Sequence, residues 1–493
     1  MSRIRTKIDF TKMSVISILY AVFFTFCLYK NSMGITFPLF VAGTIGFFIY
    51  YMKETGGGIL KSSYFYMAGI CLLGLNVCLT TNDVVIVFDK AFIFLLFFML
   101  FLHNFYDDTD WDVTKYVRSI TDYVLSSFKF LNRPRKDFTK WLKTRKTINV
   151  REDGECLVVT KQTSPVLYCI IGLGISIPLL AIVMPLLMAS DAIFKSTVQS
   201  VFSFDLGIDV WGVMFMTAAM FFVSYAMIYR FREVSLSIAQ PVEDKRNYSP
   251  IIAITVNVVL GVVYLLYSVI QIVFLFMRNG WVPEGYTYTK YAHEGFFQLV
   301  FVCLINIVIV LVCRKYSKDS KALKMILCVI SGCTYIMIAS SAYRMYLYID
   351  SYKLTFLRLY VLWALVVMAV IMGCVIAYLF KPDMPFARCV IGATVGLWII
   401  FIYARPDYQI ASYNIQYHQD HDYIMYLSLD AAPAIEKYGS KKDLLEFFDK
   451  KDRYLVQTLD THRPENINKM LNVRTWNFSL WNAGSIAEQY ISD

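Results

Sequence analysis

The chain has 493 residues, 57% of them hydrophobic and 16% aromatic, with only 17% charged. That balance is too apolar for an ordinary soluble protein of this length, because uninterrupted apolar runs recur along most of the chain and have no water-hidden core to fill. The formal net charge is +10, and its distribution, described below, reads as a topology signal and not as a nucleic-acid footprint.

A helix needs about 20 mostly apolar residues to cross the hydrocarbon layer. Measured against that length, the first four runs are Ser14 to Tyr29, Gly34 to Met52, Ser63 to Thr80 and Val84 to His103. Four more are Pro165 to Met188, Ile208 to Tyr229, Pro250 to Phe276 and Glu294 to Cys313, and the last three are Ala322 to Tyr348, Thr355 to Phe380 and Phe386 to Ala404. The expected fold class is therefore all-α: a polytopic membrane protein with about eleven transmembrane helices and a small helical C-terminal tail domain. Asp89 and Lys90 interrupt the fourth run, and adjacent in sequence they read as a neighbouring boundary pair. The basic start (Arg3, Arg5, Lys7, Lys12) followed by an apolar run resembles a signal peptide, but no small-residue cleavage site follows, so an uncleaved anchor is expected.

Short basic loops stay in the cytoplasm. With the N-terminus inside, the inside segments hold 27 lysines and arginines and the five short outside loops hold 5. Residues 1–404 carry 37 basic and 24 acidic residues, whereas the tail from Arg405 carries 10 and 13. The expected organisation is four spans over residues 1–103, a basic cytoplasmic loop over 104–164, seven spans over 165–404 and an extracytoplasmic helical tail over 405–493. The expected location is the cell membrane, with the N-terminus cytoplasmic.

In the inside loop, Val113, Val117, Ile120, Val124, Phe128 and Leu131 fall on one helix face, and lysines and arginines crowd from Lys129 to Lys146. An amphipathic helix on the inner leaflet explains both, with anionic lipid head groups as partners and no nucleic acid; protein partners are not indicated. The stretch Thr147 to Thr160 turns at Asp153-Gly154 and allows a short hairpin. In the tail, apolar residues recur at helical spacing around Ile424 to Ile435, Leu444 to Phe448 and Trp476 to Trp481, which predicts three to five short helices.

No phosphate loop, GxSxG turn, HExxH helix or GxGxxG fingerprint occurs. Of the eleven cysteines, ten sit in or beside apolar runs and no CxxC pair exists, and the five histidines are scattered, so no metal site and no cofactor are expected. Gly56-Gly57-Gly58 reads as a connector, and Gly392 with Gly396 as a close-packing face. The chemistry-bearing candidates are ionisable or polar groups near the outer boundary: Arg344, Arg358, Glu294, Gln298, Asp191, Gln271 and Asp350. They could pair to fix helix register, or form a shallow site for an anionic or polar ligand with the arginines as clamps and Glu294 as proton acceptor.

Several stretches carry a family resemblance: MPLLMASDAIF from Met184, YAHEGFFQL from Tyr291, SSAYRMYLYIDSYKLTFLRLY from Ser340, RPDYQIASYNI from Arg405, YLSLDAAPAI from Tyr426 and RTWNFSLWNA from Arg474. In these the chain resembles a bacterial family of multi-span membrane proteins known only as a domain of unknown function, number forty-one seventy-three, related to forty-one fifty-three. The resemblance implies a membrane protein and no particular activity. Three function classes stay open: a transporter-like protein, a membrane enzyme acting on lipid-linked or cell-envelope substrates, and a scaffold or signalling component. Whether the chain is an enzyme is left undecided by sequence.

Overall fold

The fold is that of a computed structural model describing residues 10–54, 58–109, 111–144, 149–150, 156–157, 190, 210–234, 248–273, 288–418, 422–459 and 473–491. In chain order the helices are α1 (Phe10–Leu28), α2 (Thr36–Glu54), α3 (Ser63–Val77), α4 (Asp83–Phe105), α5 (Val113–Phe128), α6 (Arg133–Thr144), α7 (Val210–Val234) and α8 (Pro250–Ile270). They continue with α9 (Tyr288–Tyr316), α10 (Lys321–Tyr352), α11 (Phe356–Phe380), α12 (Phe386–Tyr403), α13 (Pro406–Tyr413), α14 (Ala432–Tyr438), α15 (Lys441–Leu459) and α16 (Phe478–Ile491). Asn149–Val150 and Cys156–Leu157 pair antiparallel, the hairpin expected around Asp153-Gly154.

Among the described residues, nine helices are long and apolar enough to cross a membrane, and the all-α polytopic class holds. α3 is apolar but only 15 residues long. The expected span Pro165 to Met188 lies outside the described residues. The fourth run, interrupted by two charges, forms an unbroken helix of 23 residues. It starts cleanly because Asn82 caps it, accepting a hydrogen bond from the Val85 N–H at 3.1 Å.

The chain divides into two compact units. The first comprises Met1–Lys30, Gly46–Gly58 and Thr121–Ser237. In it α1 packs on α7 and α6. Thr217 donates to Thr25 at 3.0 Å, Tyr225 donates to Asp137 at 3.1 Å, and Arg133 stacks 4.5 Å from the Tyr229 ring centre. Within the membrane a hydroxyl tie such as Thr217 to Thr25 supplies helix association that a hydrophobic effect between helices cannot.

The second unit comprises Asn31–Ile45, Ile59–Ile120 and Ile238–Asp493. α9 pairs with α10, which also packs on α8 and α11; α11 packs on α12, α12 on α3, and α3 on α4. Its core runs from Cys303, Val310, Ile330 and Met372 in the spans to Ile435, Phe447, Phe448 and Ala483 in the tail. The tail is sewn to the ends of α2 and α3: Asn477 donates to the carbonyls of Met33 at 3.0 Å and Thr80 at 3.1 Å, and the Phe478 N–H donates to Cys78 at 2.8 Å. Four described α-helices follow Ala404, within the expected range.

α5 is a helix where amphipathicity predicts one. Its Tyr116 and Tyr123 are buried, while Val117 and Leu125 are 58% and 60% exposed, so the helix carries exposed apolar residues.

Candidate active site

One end of the α3–α4 pair gathers ionisable groups that sequence spacing conceals. Ser62 occupies the cap position of α3 in helical conformation, and its hydroxyl does not cap the helix. Instead its Oγ lies 2.5 Å from Nε2 of His103, near the end of α4. The other ring nitrogen, Nδ1, lies 2.8 Å from Oδ1 of Asp108 in the α4–α5 link. An ionised carboxylate only accepts, so Nδ1 carries the proton and Nε2 is left to accept from the serine. Ser62 is exposed, whereas His103 and Asp108 are 5% and 2% exposed.

Neighbouring groups fix this arrangement. Asn104 donates to Ser63 Oγ at 2.9 Å and accepts from the Leu60 N–H at 3.2 Å, which locks the residues before α3 to the end of α4. Tyr116, in the first turn of α5, donates to the second oxygen of Asp108. Arg388, in the first turn of α12, brings Nη1 to 3.6 Å from Asp108 Oδ1. The Tyr66 ring lies 5.6 Å from the imidazole, centre to centre. Lys315 pairs with Asp112 at 2.5 Å and so ties α9 to the start of α5.

Burial by itself pushes the Asp108 carboxyl up, but hydrogen bonds from His103 and Tyr116 and the nearby charge of Arg388 outweigh it and hold the group below the usual carboxylate range. Burial, and then the adjacent Asp108, push the Tyr116 phenol up, so it stays a donor. The result is a hydroxyl, a base and an ionised group that orients the base, in hydrogen-bonded series. Such a series can activate an oxygen nucleophile.

Two further polar stations lie along α4. About two turns from its start, Asp89 is fully buried and accepts from Asn76 of α3 and from the Trp398 indole of α12, both at 2.7 Å. The expected pairing with Lys90 does not form, because consecutive helical residues point in different directions; Lys90 instead lies 5.5 Å from the Phe37 ring centre. At its start, Asn82 donates to Asp407 at 3.0 Å, and Asp407 also accepts from the Ser428 N–H at 3.1 Å. The nearby Asp430 accepts from the N–H and hydroxyl of Thr81 at 2.9 and 3.0 Å, and from the hydroxyls of Thr80 and Ser479. Burial, then the charge of Asp430, push the Asp407 carboxyl up.

The sequence-derived polar set is distributed as follows. Arg344 and Gln271 do meet: Gln271 accepts from Ser340 at 2.6 Å and from Arg344 at 3.4 Å, all three buried. Arg358 donates to the carbonyls of Tyr352, at 2.5 Å, and Lys353, and stacks 4.3 Å from the Tyr348 ring centre. That clamps the end of α10, where Lys353 adopts the left-handed conformation at φ 77°. Asp350 and Gln298 are exposed. Asp191 and the Glu294 side chain lie outside the described residues.

Ser62, His103, Asp108 and Arg388 escape a motif search because three separate stretches of chain supply them. The available signal is the polar cluster that closes the fourth apolar run, His103, Asn104, Asp107 and Asp108. Asp407 and Asp430 do fall in two of the stretches that carry the family resemblance.

The family model described as "Domain of unknown function (DUF4153)" matches residues 67–438. The chain belongs to that family. The matched span takes in His103, Asp108, Arg388, Asp407 and Asp430 and begins just after Ser62. No curated protein and no solved structure matches the chain.

Proposed function

We propose that this member of the DUF4153 family is an integral membrane enzyme of acyl transfer, a serine hydrolase or acyltransferase with Ser62 as nucleophile, His103 as general base and acid, and Asp108 orienting the base. The observation that carries the reading is the unbroken Ser62–His103–Asp108 series, with the nucleophile exposed and the other two buried. In the first half-reaction Ser62 Oγ attacks an ester carbonyl while its proton passes to Nε2. Asp108 stabilises the imidazolium so formed. Collapse of the tetrahedral adduct breaks the bond to the leaving alcohol, which takes the proton from Nε2 and leaves an ester on Ser62. Water or an acceptor alcohol then repeats the sequence and restores the hydroxyl. The positive end of the α3 dipole at Ser62 favours the developing oxyanion.

Charge distribution supports a cell-membrane location with the N-terminus in the cytoplasm, the tail outside and the Ser62 end facing the cytoplasm. The exposed apolar residues of α5, followed by basic residues, support contact with anionic head groups at that face. The transporter reading draws less support, since Arg358 is committed to backbone carbonyls.

The test is labelling of the purified full-length protein with a fluorophosphonate, which reacts with activated serines. One adduct on Ser62, absent from Ser62→Ala and strongly reduced in His103→Gln, supports the reading. Folded wild-type protein that takes no label overturns it.

A further inference from the structure

We infer that the ester acted on at Ser62 is the acyl ester of a membrane glycerolipid, which reaches the site sideways from the bilayer with its acyl chain lying along α3. This rests on the acyl-transfer reading above and names its substrate class.

The first argument is depth. α4 has 23 residues and so is about 34 Å long, slightly more than the ~30 Å hydrocarbon layer. His103 lies in its last turn, which puts the imidazole, and with it Ser62, at the boundary between hydrocarbon and head groups. Glycerolipid ester carbonyls occupy that level. A soluble ester would have to cross the head groups to reach it. The surrounding residues suit the same layer: Tyr64, Tyr66, Tyr106 and Trp111 cluster at this end, as amphipathic aromatics do at membrane boundaries.

The second argument is the surface beside the hydroxyl. Beyond Ser62 the exposed positions of α3 are Tyr64, Phe65, Ala68, Cys71, Leu72 and Leu75. These spacings make a single face. Phe65, one turn from Ser62, is 84% exposed, and Leu72 and Leu75 are each 42% exposed. No polar side chain interrupts the face between Phe65 and Leu75. It runs from Ser62 toward the bilayer centre for about 20 Å, enough to follow the ~15 Å of acyl chain in one leaflet. Ala68 and Cys71 carry small side chains on this face, beside the bulkier Phe65 and Leu72. The opposite face of α3, with Met67, Ile70, Leu73 and Gly74, is buried against the unit and cannot serve.

The third argument is charge at the head-group end. Lys61 is exposed immediately before Ser62. It is placed to meet the phosphate of an anionic glycerophospholipid whose ester lies at the serine.

The experiment uses full-length protein reconstituted into vesicles of ester-linked phosphatidylglycerol, with ether-linked phosphatidylglycerol vesicles as the control. Lysolipid and either free fatty acid or an acylated acceptor should accumulate only with the ester-linked lipid and only when Ser62 is intact. Phe65→Ser should lower lipid turnover at least about tenfold, since removing a lipid-facing aromatic weakens chain docking by roughly that factor. Unchanged lipid turnover in Phe65→Ser would place the acyl chain elsewhere and overturn the path along α3. If wild-type protein takes the fluorophosphonate label on Ser62 and cleaves a short soluble nitrophenyl ester but leaves the vesicle lipid intact, the lipid inference is overturned and the acyl-transfer reading stands. If neither label nor cleavage occurs, the acyl-transfer reading falls and the lipid inference falls with it.

Discussion

The indole N–H of Trp398 donates to Asp89 at 2.7 Å across two membrane spans, and Asn76 donates to the other carboxylate oxygen at the same distance. A carboxylate within the hydrocarbon depth is tolerated only with partners of this kind. Phe88 packs 5.3 Å from the Trp398 ring centre, and Tyr403 donates to the Leu72 carbonyl at 2.9 Å, so α3, α4 and α12 are held in one register.

Asp89→Asn should fold, because an amide can keep both bonds once Asn76 turns its own amide. Trp398→Phe removes one donor and should cost about 1–3 kcal/mol, the usual penalty for stranding a buried polar atom. Asp89→Leu strands the Asn76 amide and should fall in the same range. Thermal unfolding in detergent checks all three. Equal stability of Trp398→Phe and wild type would show that the bond contributes nothing.

Two carboxyls outside the spans should respond to pH in opposite directions. Asp108 is held below its usual range in the fold, so its contribution is present above the unfolded value and is lost as pH falls through the folded one. Asp407 is pushed up by burial and Asp430, so its contribution is present in acid and is lost as pH rises through the folded value. Asp407→Asn should therefore raise stability at neutral pH and flatten the loss on the alkaline side. Asp108→Asn should flatten the loss on the acid side. Melting temperatures of the two variants across pH 4 to 8, the range where such groups titrate, check the signs.

The spans were legible because about 20 apolar residues in a row admit few other folds. α5 was legible because its valines keep one face. The candidate site was not, for a physical reason: Ser62 and His103 are 41 positions apart and become neighbours only when α3 and α4 pair antiparallel. Arg344 and Arg358 stood out in sequence because a charge near a span is conspicuous; among the described residues Arg344 donates to Gln271 and Arg358 to the end of α10. A serine at a helix start and a histidine at a span end carry no such signal. Asp89 was visible, but its partners Asn76 and Trp398 lie on other helices and the sequence offers only the adjacent Lys90.

The exposed apolar residues of α5 should lie in the head-group layer. An environment-sensitive fluorophore on Val117→Cys of the full-length protein should be quenched by lipids brominated near the carbonyls, and one on Thr114→Cys much less. Equal, weak quenching at both positions would place α5 in water.

The tail should be extracytoplasmic. A membrane-impermeant thiol reagent should label Ser440→Cys, an exposed position in a tail whose native sequence has no cysteine, in intact cells. Labelling only after lysis would reverse the orientation and put Ser62 on the outer side.

The central claim is that Ser62 is made nucleophilic by His103, and trapping the acyl-enzyme tests it most directly. Wild-type protein, His103→Gln and Ser62→Ala are incubated with a slowly deacylating ester, quenched in acid and mapped by peptide mass. The account predicts an acyl adduct on the Ser62 peptide of the wild type, formed about a thousandfold or more faster than in His103→Gln and absent from Ser62→Ala. Folded wild-type protein with no adduct on Ser62, or an adduct that forms as fast without His103, would contradict it.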